Sequence, residues 1–166
     1  MKNSLRDIPF FKMTGSGNDF VFFDGRLVSA SLVTQPDVIK AICNRHNGIG
    51  ADGVVVLEPG PQGLLTPGAV GFASAPQATI LYFNSDGTPA DLCGNATLCS
   101  TALSVALGFG PTEGMGLQTP SGRISARLVN GLPEITLQPV HRIDRDSAVE
   151  RAAGESRIGF AVVGIP

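Results

Sequence analysis

The sequence predicts an α+β protein in which an antiparallel sheet wraps as an open barrel around one central apolar helix. Three observations predict this fold: several short β-branched or alternating runs, many turn-forming residues, and one helical segment that carries no charge. The 166 residues include 21 glycines and 12 prolines, which separate short elements. Hydrophobic residues make up 43% and charged residues 16%, a composition typical of a globular protein.

The first half of the chain predicts a hairpin, a helix, a buried strand and a loop. Two apolar runs flank a glycine-rich turn at residues 15–18, which indicates a β-hairpin. A capping residue, Thr34, and an early proline predict a helix over residues 36–45. The β-branched run at 54–57 predicts a buried strand, and the prolines and glycines of 58–77 predict a long surface loop.

The second half predicts further strands and the central helix. The strands are expected at residues 78–83, 115–119, 123–129 and 134–138. Between the first two of them, residues 95–107 form a helical segment without a charge, and Gly108 is placed to end it. A helix with no charged face is buried on all sides, so the sheet is expected to surround it.

The chain divides into three expected parts. Residues 1–140 are expected to form one lobe, because the predicted strands and the central helix lie there. Residues 141–157 are rich in charged side chains and are interpreted as a linker. Residues 158–166 are expected to begin a second lobe that is not present in this sequence.

Charge and hydropathy argue against several classes of partner. The formal net charge is −2, too small to hold nucleic acid or an anionic membrane by charge alone. No apolar run approaches the ~20 residues that a membrane-spanning helix requires. The amino end carries charged residues rather than the apolar stretch of a signal peptide. We therefore expect a cytoplasmic protein without a nucleic acid or membrane partner.

Metal and nucleotide sites are not expected either. The three cysteines, Cys43, Cys93 and Cys99, lack the CxxC spacing of common zinc sites. Residues 48–53 match GxGxxG, but they follow a predicted helix and precede a strand, the reverse of the dinucleotide-binding order. We interpret them as a glycine turn that allows close approach of the backbone.

Cys93 is the residue whose position most suggests chemistry. It stands at the amino end of the uncharged helix, where the helix dipole and unpaired N–H groups favour a thiolate. The alternative is an inert buried cysteine. Cys43 on the apolar face of the first helix and Cys99 in the middle of the central helix are interpreted as core residues.

Four segments, in order, resemble the amino-terminal half of diaminopimelate epimerase. They are Lys-Met-Thr-Gly-Ser-Gly-Asn-Asp-Phe at 12–20, Asn-Arg-His-Asn-Gly-Ile-Gly-Ala-Asp-Gly at 44–53, Phe-Asn-Ser-Asp-Gly at 83–87 and Leu-Cys-Gly-Asn at 92–95. The resemblance implies one lobe of a two-lobed fold and an epimerase of lysine biosynthesis that needs no pyridoxal or other cofactor.

The resemblance also implies the site residues. Cys93 matches one of two cysteines that act on opposite faces of the substrate α-carbon, one removing a proton and the other delivering one. Gly94 and Asn95 match donors to the substrate carboxylate, and Asn18 and Asn84 match residues that hold the substrate by hydrogen bonds. With one cysteine of the pair, this lobe is expected to be inactive alone, and a homodimer is possible.

Two alternative functions remain open at this stage. The run Ala96-Thr97-Leu98 after Asn95 resembles the phenazine-biosynthesis isomerases, so a phenazine-type or proline-racemase-like isomerase on another small acid is one alternative. The other is a lobe without catalytic activity that binds a ligand or partner through an uncovered sheet edge.

Overall fold

The computed structural model describes residues 7–60, 75–137, 140–151 and 154–163, the last two ranges by their backbone alone. The chain begins with the predicted hairpin, in which β1 (Phe11–Gly15) pairs antiparallel with β2 (Asn18–Asp24). Gly15 faces Asn18 across the turn. Ser16 and Gly17 between them have φ of 50° and 93°, the left-handed backbone that a two-residue hairpin turn requires.

One sheet of eight strands forms the body of the protein. Its order is β1-β2-β3-β4-β6-β7-β8, with β5 paired to β4. The remaining strands are β3 (Gly53–Pro59), β4 (Ala78–Asn84), β5 (Pro89–Ala90), β6 (Met115–Thr119), β7 (Gly122–Val129) and β8 (Leu132–Thr136). All the strands predicted in this part of the chain are therefore confirmed, with ends that differ by up to two residues.

The sheet is mixed rather than wholly antiparallel. The pairs β2–β3 and β4–β6 are parallel, whereas the other neighbouring pairs are antiparallel. Two parallel neighbours must be joined by a crossover of about a dozen residues or more, usually a helix. The described helices of this chain lie in the two connections where such a crossover is needed. The helices α1 (Ala30–Val33) and α2 (Pro36–Cys43) lie between β2 and β3, and α3 (Gly94–Ala106) lies between β4 and β6.

The first long helix differs from its prediction at both ends. The residue that caps α2 is Gln35, because Thr34 already ends the short preceding helix α1. At the other end α2 stops at Cys43 instead of Arg45, and Asn44 takes an extended backbone with ψ of 120°. Arg45 therefore lies in the connection that leads to β3, where its side chain is free to reach the hairpin.

The central apolar helix is confirmed. The strands β1, β3, β4, β7 and β8 all contact α3, so the sheet curls around it as an open half-barrel. Ser100 and Thr101 are fully buried, and their hydroxyls donate to backbone carbonyls one turn earlier at 2.8 Å. Gly108, with φ of 74°, follows the helix and donates its N–H to Val105. Small residues and internally bonded hydroxyls allow the strands to approach this helix closely.

Two hydrophobic clusters lie on opposite faces of β2 and β3. Phe20 and Phe22 point to the cluster that contains α3, while Val21 and Phe23 point to the cluster beneath α1 and α2. The residues of β3 alternate in the same way. Burial on both faces explains why these two strands are continuous apolar runs instead of alternating ones.

The carboxyl-terminal part contains a separate two-stranded sheet. There β9 (Val140–Arg151) pairs antiparallel with β10 (Gly154–Val163). The charge pattern suggested that residues 141–157 form a linker, but most of them lie in these two strands. The division of the chain into lobes stays a prediction.

The predicted loop at 58–77 lies largely outside the described residues, while its first two residues extend β3. None of the described helices has the length and apolar character needed to cross a membrane.

Candidate active site

Cys93 lies at the start of the central helix, as the sequence predicted. It is the N-cap residue of α3, and its backbone carbonyl accepts bonds from the N–H and hydroxyl of Thr97 at 2.9 and 2.8 Å. Its side chain makes no capping bond, is half-buried, and lines a small cavity with Tyr82, Asp91 and Thr119. The thiol is therefore fixed at a helix start and lies in the wall of this cavity.

The other two cysteines are core residues, also as predicted. Cys43 is 6% exposed and Cys99 is 5% exposed. Burial raises the pKa of Cys43 to about 11, and burial followed by the proximity of Cys93 raises the pKa of Cys99. Both are therefore neutral thiols near pH 7. Of the three cysteines, Cys93 has the most accessible side chain.

The hairpin turn is joined directly to the start of α3. The side-chain amide of Asn95 donates to Asn18 Oδ1 at 2.7 Å. Behind this bond the hairpin backbone packs onto the helix, since a Cβ added to Gly15 would lie 2.9 Å from Cys99 Sγ and 3.1 Å from the Asn95 carbonyl oxygen. Glycine at position 15 allows this approach, and two of the predicted site residues are thereby brought together.

Asn18 is also held from its other side by Asp52. The Asn18 amide donates to Asp52 Oδ2 at 3.0 Å, and the backbone N–H of Asp19 donates to the same oxygen at 3.1 Å. In return the Asp52 N–H donates to the Asp19 carbonyl at 2.8 Å. The orientation of the Asn18 amide is thus fixed, because its oxygen accepts from Asn95 while its nitrogen donates to a carboxylate.

A group of charged residues supports Asp52 and Asp19. Arg45 bonds both carboxylates at 2.7 Å, and Lys12 bonds Asp19 at 2.8 Å and also donates to the Gly50 carbonyl. Hydrogen bonds first from Arg45 and then from Lys12 hold the pKa of Asp19 well below its usual range. The pKa of Asp52 is lowered as well, most of all by its bond with Asn18. Sequence reasoning assigned no role to these four residues.

Asn84 reaches the same region from the end of β4. It pairs with Gly53 across the sheet, and the next residue, Ser85, donates its N–H to the Asp52 carbonyl at 3.0 Å. The Asn84 amide donates to Thr88 Oγ1 at 3.1 Å within its own turn. Asn84 is therefore linked to Asn18 through the backbone and side chain of Asp52.

Gly94 and the glycine-rich segment have different surroundings. No atom lies within 4 Å of a Cβ added to Gly94, so the first turn of α3 is open there. By contrast, a Cβ on Gly48 would lie 2.0 Å from the Ala41 carbonyl, and Gly50 has φ of 77°. Residues 48–53 lead from α2 to β3, which agrees with their interpretation as a close backbone turn.

Tyr82 is a further residue of the site that sequence reasoning missed. It lies two residues before Asn84 on the same face of β4, and its ring packs edge-on to Phe20 with centroids 5.8 Å apart. Its side chain lines the same cavity as Cys93. Burial, followed by the proximity of Cys93, raises the pKa of Tyr82 to about 12. A single tyrosine in a strand gives no signal of such a contact in the sequence.

The described residues contain no group of three or more His, Cys, Asp or Glu side chains arranged to hold a metal ion. The arrangement that they do contain combines an accessible thiol at a helix start with fixed amides and a neutral phenol. Such groups can transfer a proton and hold a small polar molecule by hydrogen bonds.

Acid is expected to weaken the fold partly through Asp19. Its pKa is depressed in the folded protein, so its contribution to stability is complete above the unfolded value of about 4 and is lost as the pH falls towards the folded value. Urea unfolding followed by circular dichroism between pH 7 and pH 2.5 measures this loss.

The variant Asp19→Asn is expected to flatten the acid side of that profile, because the titrating group is gone. Asp37→Asn is a matched control, since the Asp37 side chain is fully exposed and lies 3.9 Å from Lys40. An Asp19→Asn profile as steep as that of the control would show that the ion pairs of Asp19 contribute nothing to stability.

The fold is shared with two solved structures. A hydroxyproline epimerase from Agrobacterium vitis aligns with a TM-score of 0.59 and 17% identity, over 92% of this chain and 48% of its own. A phenazine biosynthesis protein of the PhzF family from Bacillus anthracis aligns with a TM-score of 0.53 and 13% identity, over 85% of this chain and 42% of its own. The half-barrel around α3 is thus a fold that this chain shares with about half of each of these two proteins.

The sequence comparisons then identify the family. A family model described as diaminopimelate epimerase matches residues 10–137. A diaminopimelate epimerase from Gemmatimonas aurantiaca is 54% identical over 160 residues, which cover 96% of this chain and 53% of the relative. The chain belongs to the diaminopimelate epimerase family, and it spans about half the length of this relative.

Proposed function

We propose that this chain supplies one catalytic half of an enzyme that interconverts LL- and meso-diaminopimelate. In this proposal Cys93 acts as one of two cysteine acid–base groups: one thiolate removes the α-proton, and a thiol on the opposite face of the carbon delivers another. The single observation that carries the proposal is the accessible thiol at the start of α3, in a chain of the diaminopimelate epimerase family.

The substrate carboxylate is proposed to bind at the first turn of α3. The N–H groups of Gly94, Asn95 and Ala96 precede the first N–H that bonds within the helix, that of Thr97 to Cys93. These groups favour an anion because of their direction and the helix dipole. They would also stabilise the negative charge that develops when the α-proton leaves.

Asn18 and Asn84 are proposed to hold the distal amino-acid end of the substrate. After its bonds to Asn95 and Asp52, the Asn18 amide retains one N–H and one oxygen lone pair for a ligand. The fixed amide is a suitable contact for a zwitterionic group, since the direction of its donor and acceptor is already set. The opposing cysteine is proposed to come from polypeptide beyond the half that this chain represents.

The proposal is tested by proton exchange in deuterium oxide. Whole protein that includes both halves is expected to incorporate deuterium at the α-position of LL- or meso-diaminopimelate, as read by mass spectrometry. The 166-residue chain alone is expected to be inactive, because one face of the substrate lacks its acid. The absence of exchange in reduced whole protein would contradict the proposal, and turnover by the isolated chain would contradict the need for a second cysteine.

A second candidate is an isomerase acting on another small amino acid. This candidate is supported by the similarity of the fold to a hydroxyproline epimerase and to a PhzF-family protein. Exchange assays with proline, hydroxyproline and diaminopimelate separate the two functions, because the distal amino-acid group occurs in diaminopimelate alone. Exchange that needs no such group would favour the second candidate.

A further inference from the structure

We propose that Thr88 is a positioning residue for Asn84: its hydroxyl fixes the side-chain amide of Asn84 in one of its two orientations, with the nitrogen towards Thr88 and the oxygen away from it. The inference rests on the proposed contact of Asn84 with the distal end of the substrate. It is carried by three hydrogen bonds that join Asp86, Thr88 and Asn84.

The backbone that carries Asn84 and Thr88 is a tight hairpin turn between β4 and β5. Phe83 pairs with Pro89, and one residue further the Asn84 N–H donates to the Thr88 carbonyl at 2.9 Å. Residues 85–87 form the loop, and Gly87 has φ of 85°, the left-handed conformation that is usual in a three-residue hairpin loop. Asn84 and Thr88 therefore leave the backbone at facing positions of the hairpin.

Two neighbouring elements hold this turn in place. The N–H of Ser85 donates to the Asp52 carbonyl at 3.0 Å, just before β3. A Cβ added to Gly87 would lie 2.7 Å from Pro36 Cα, so the turn packs directly against the first residue of α2. Since the backbone is held at both places, the orientation of the Asn84 amide is what its side-chain partner has to determine.

The direction of the Thr88 hydroxyl proton follows from Asp86. Asp86 Oδ1 accepts from the Thr88 N–H at 2.9 Å and from the Thr88 hydroxyl at 2.6 Å. The hydroxyl first, and then the N–H, lower the pKa of Asp86, so this group is a carboxylate at pH 7 and can only accept. The single hydroxyl proton of Thr88 is therefore used in the bond to Asp86, and the oxygen presents a lone pair to Asn84.

This lone pair determines which end of the Asn84 amide faces Thr88. The Asn84 nitrogen donates to Thr88 Oγ1 at 3.1 Å, whereas the reversed amide would bring two acceptor oxygens into contact. The amide oxygen and the second N–H are left for a ligand. Asn84 is thus oriented by its own turn, as Asn18 is oriented by Asp52 and Asn95.

The consequence is a substrate contact whose donor and acceptor need no ordering on binding. Without the Thr88 hydroxyl, the Asn84 amide turns between two orientations, and the wrong one must be given up when the substrate binds. The cost falls on binding, because a contact at the distal end is equal in the ground and transition states of a reaction at the α-carbon. Loss of a neutral hydrogen bond corresponds to about a three- to tenfold change in KM.

The test is the steady-state kinetics of α-proton exchange in whole protein that includes both halves. Thr88→Val replaces the hydroxyl by a methyl group of similar size and is expected to raise KM for diaminopimelate by about three- to tenfold, with kcat nearly unchanged. Thr88→Ser keeps the hydroxyl and is expected to restore KM. Thr136→Val is a matched control, because it makes the same substitution at an exposed threonine of β8 and is expected to change neither constant.

A double-mutant cycle with Asn84 separates positioning from support of the fold. Asn84→Ala removes the amide that Thr88 orients, so Thr88→Val is expected to add no further change in KM in that background. An equal change in both backgrounds would show that Thr88 acts through another group and would overturn the inference. Thr88→Ala covers the case in which the turn does not tolerate valine, and it is expected to give the same result.

A second measurement reads the contact without substrate. In isotope-labelled whole protein, nuclear magnetic resonance resolves the side-chain amide signals of Asn84, which are assigned by their loss in Asn84→Ala. These signals are expected to shift in Thr88→Val and to keep their positions in Thr88→Ser. Signals that stay in place without the hydroxyl overturn the inference.

The outcomes separate the inference from the proposed function. If Asn84→Ala raises KM while Thr88→Val changes neither KM nor the amide signals, the substrate contact of Asn84 stands and the role of Thr88 fails. If the signals shift in Thr88→Val but whole protein shows no exchange of diaminopimelate, Thr88 orients Asn84 and the proposed function fails.

Discussion

Replacement of Cys93 by alanine is expected to abolish α-proton exchange of diaminopimelate by the whole protein. A positioned acid–base group contributes about 10²- to 10⁴-fold to the rate, and no other described cysteine is accessible to take its place. The measurement is deuterium incorporation from solvent, followed by mass spectrometry. Substrate binding, measured by calorimetry, is expected to persist, because the proposed carboxylate contacts are backbone N–H groups.

Cys43→Ala is the matched control for this experiment. It removes a thiol of the same size from the buried face of α2, where burial raises the pKa of the group to about 11. The variant is expected to lose stability by the cost of a small cavity and to keep its exchange activity. Exchange at the normal rate in Cys93→Ala would instead favour the reading of this lobe as a binding module without catalytic activity.

The position of Cys93 was predictable because it depends on local sequence. An uncharged run of small residues predicts a buried helix, and the Cys-Gly-Asn before it marks where the helix starts. The structure begins α3 at Gly94, one residue before the predicted start, with Cys93 as its N-cap. The hairpin was predictable for the same reason, since the turn at Ser16 and Gly17 needs residues that tolerate positive φ.

The charged residues that hold Asn18 were not predictable, because their partners are distant in the chain. Asp52 meets Asp19 only because β2 and β3 are parallel neighbours, which pairs Phe20 with Gly53. An antiparallel sheet was expected, and in such a sheet these two carboxylates have no reason to meet. In the sequence, Asp52 is one letter of a glycine-rich turn, and nothing in that turn indicates its acceptor role.

The position of Tyr82 beside Cys93 in the cavity wall was missed for a related reason. It requires the register of β4 against β3, which places the tyrosine ring over a glycine. A glycine in a strand indicates a close approach, but the sequence does not say which side chain approaches. Local patterns therefore predicted the elements and the candidate acid–base cysteine, while strand pairing determined what surrounds them.

In whole protein that includes both halves, Asp52→Asn is expected to lower kcat/KM for diaminopimelate by about 10- to 100-fold, mainly through a higher KM. One Asp52 oxygen accepts from Asn18 and the Asp19 N–H, and the other accepts from Arg45. An amide has one acceptor oxygen, so it must abandon Arg45 or turn a donor towards the Asn18 amide. Loss of a hydrogen bond to a charged group corresponds to about 1.5–3 kcal/mol, which sets the expected range.

The division between KM and kcat distinguishes positioning of Asn18 from a general loss of structure. If Asn18 binds the distal end of the substrate equally in the ground and transition states, its disorder raises KM and leaves kcat nearly unchanged. Asp37→Asn removes an exposed carboxylate and is expected to change neither constant. Equal kinetics in the two variants would mean that Asn18 finds its orientation without Asp52, through the bond to Asn95 alone. The carboxylate would then only support the fold.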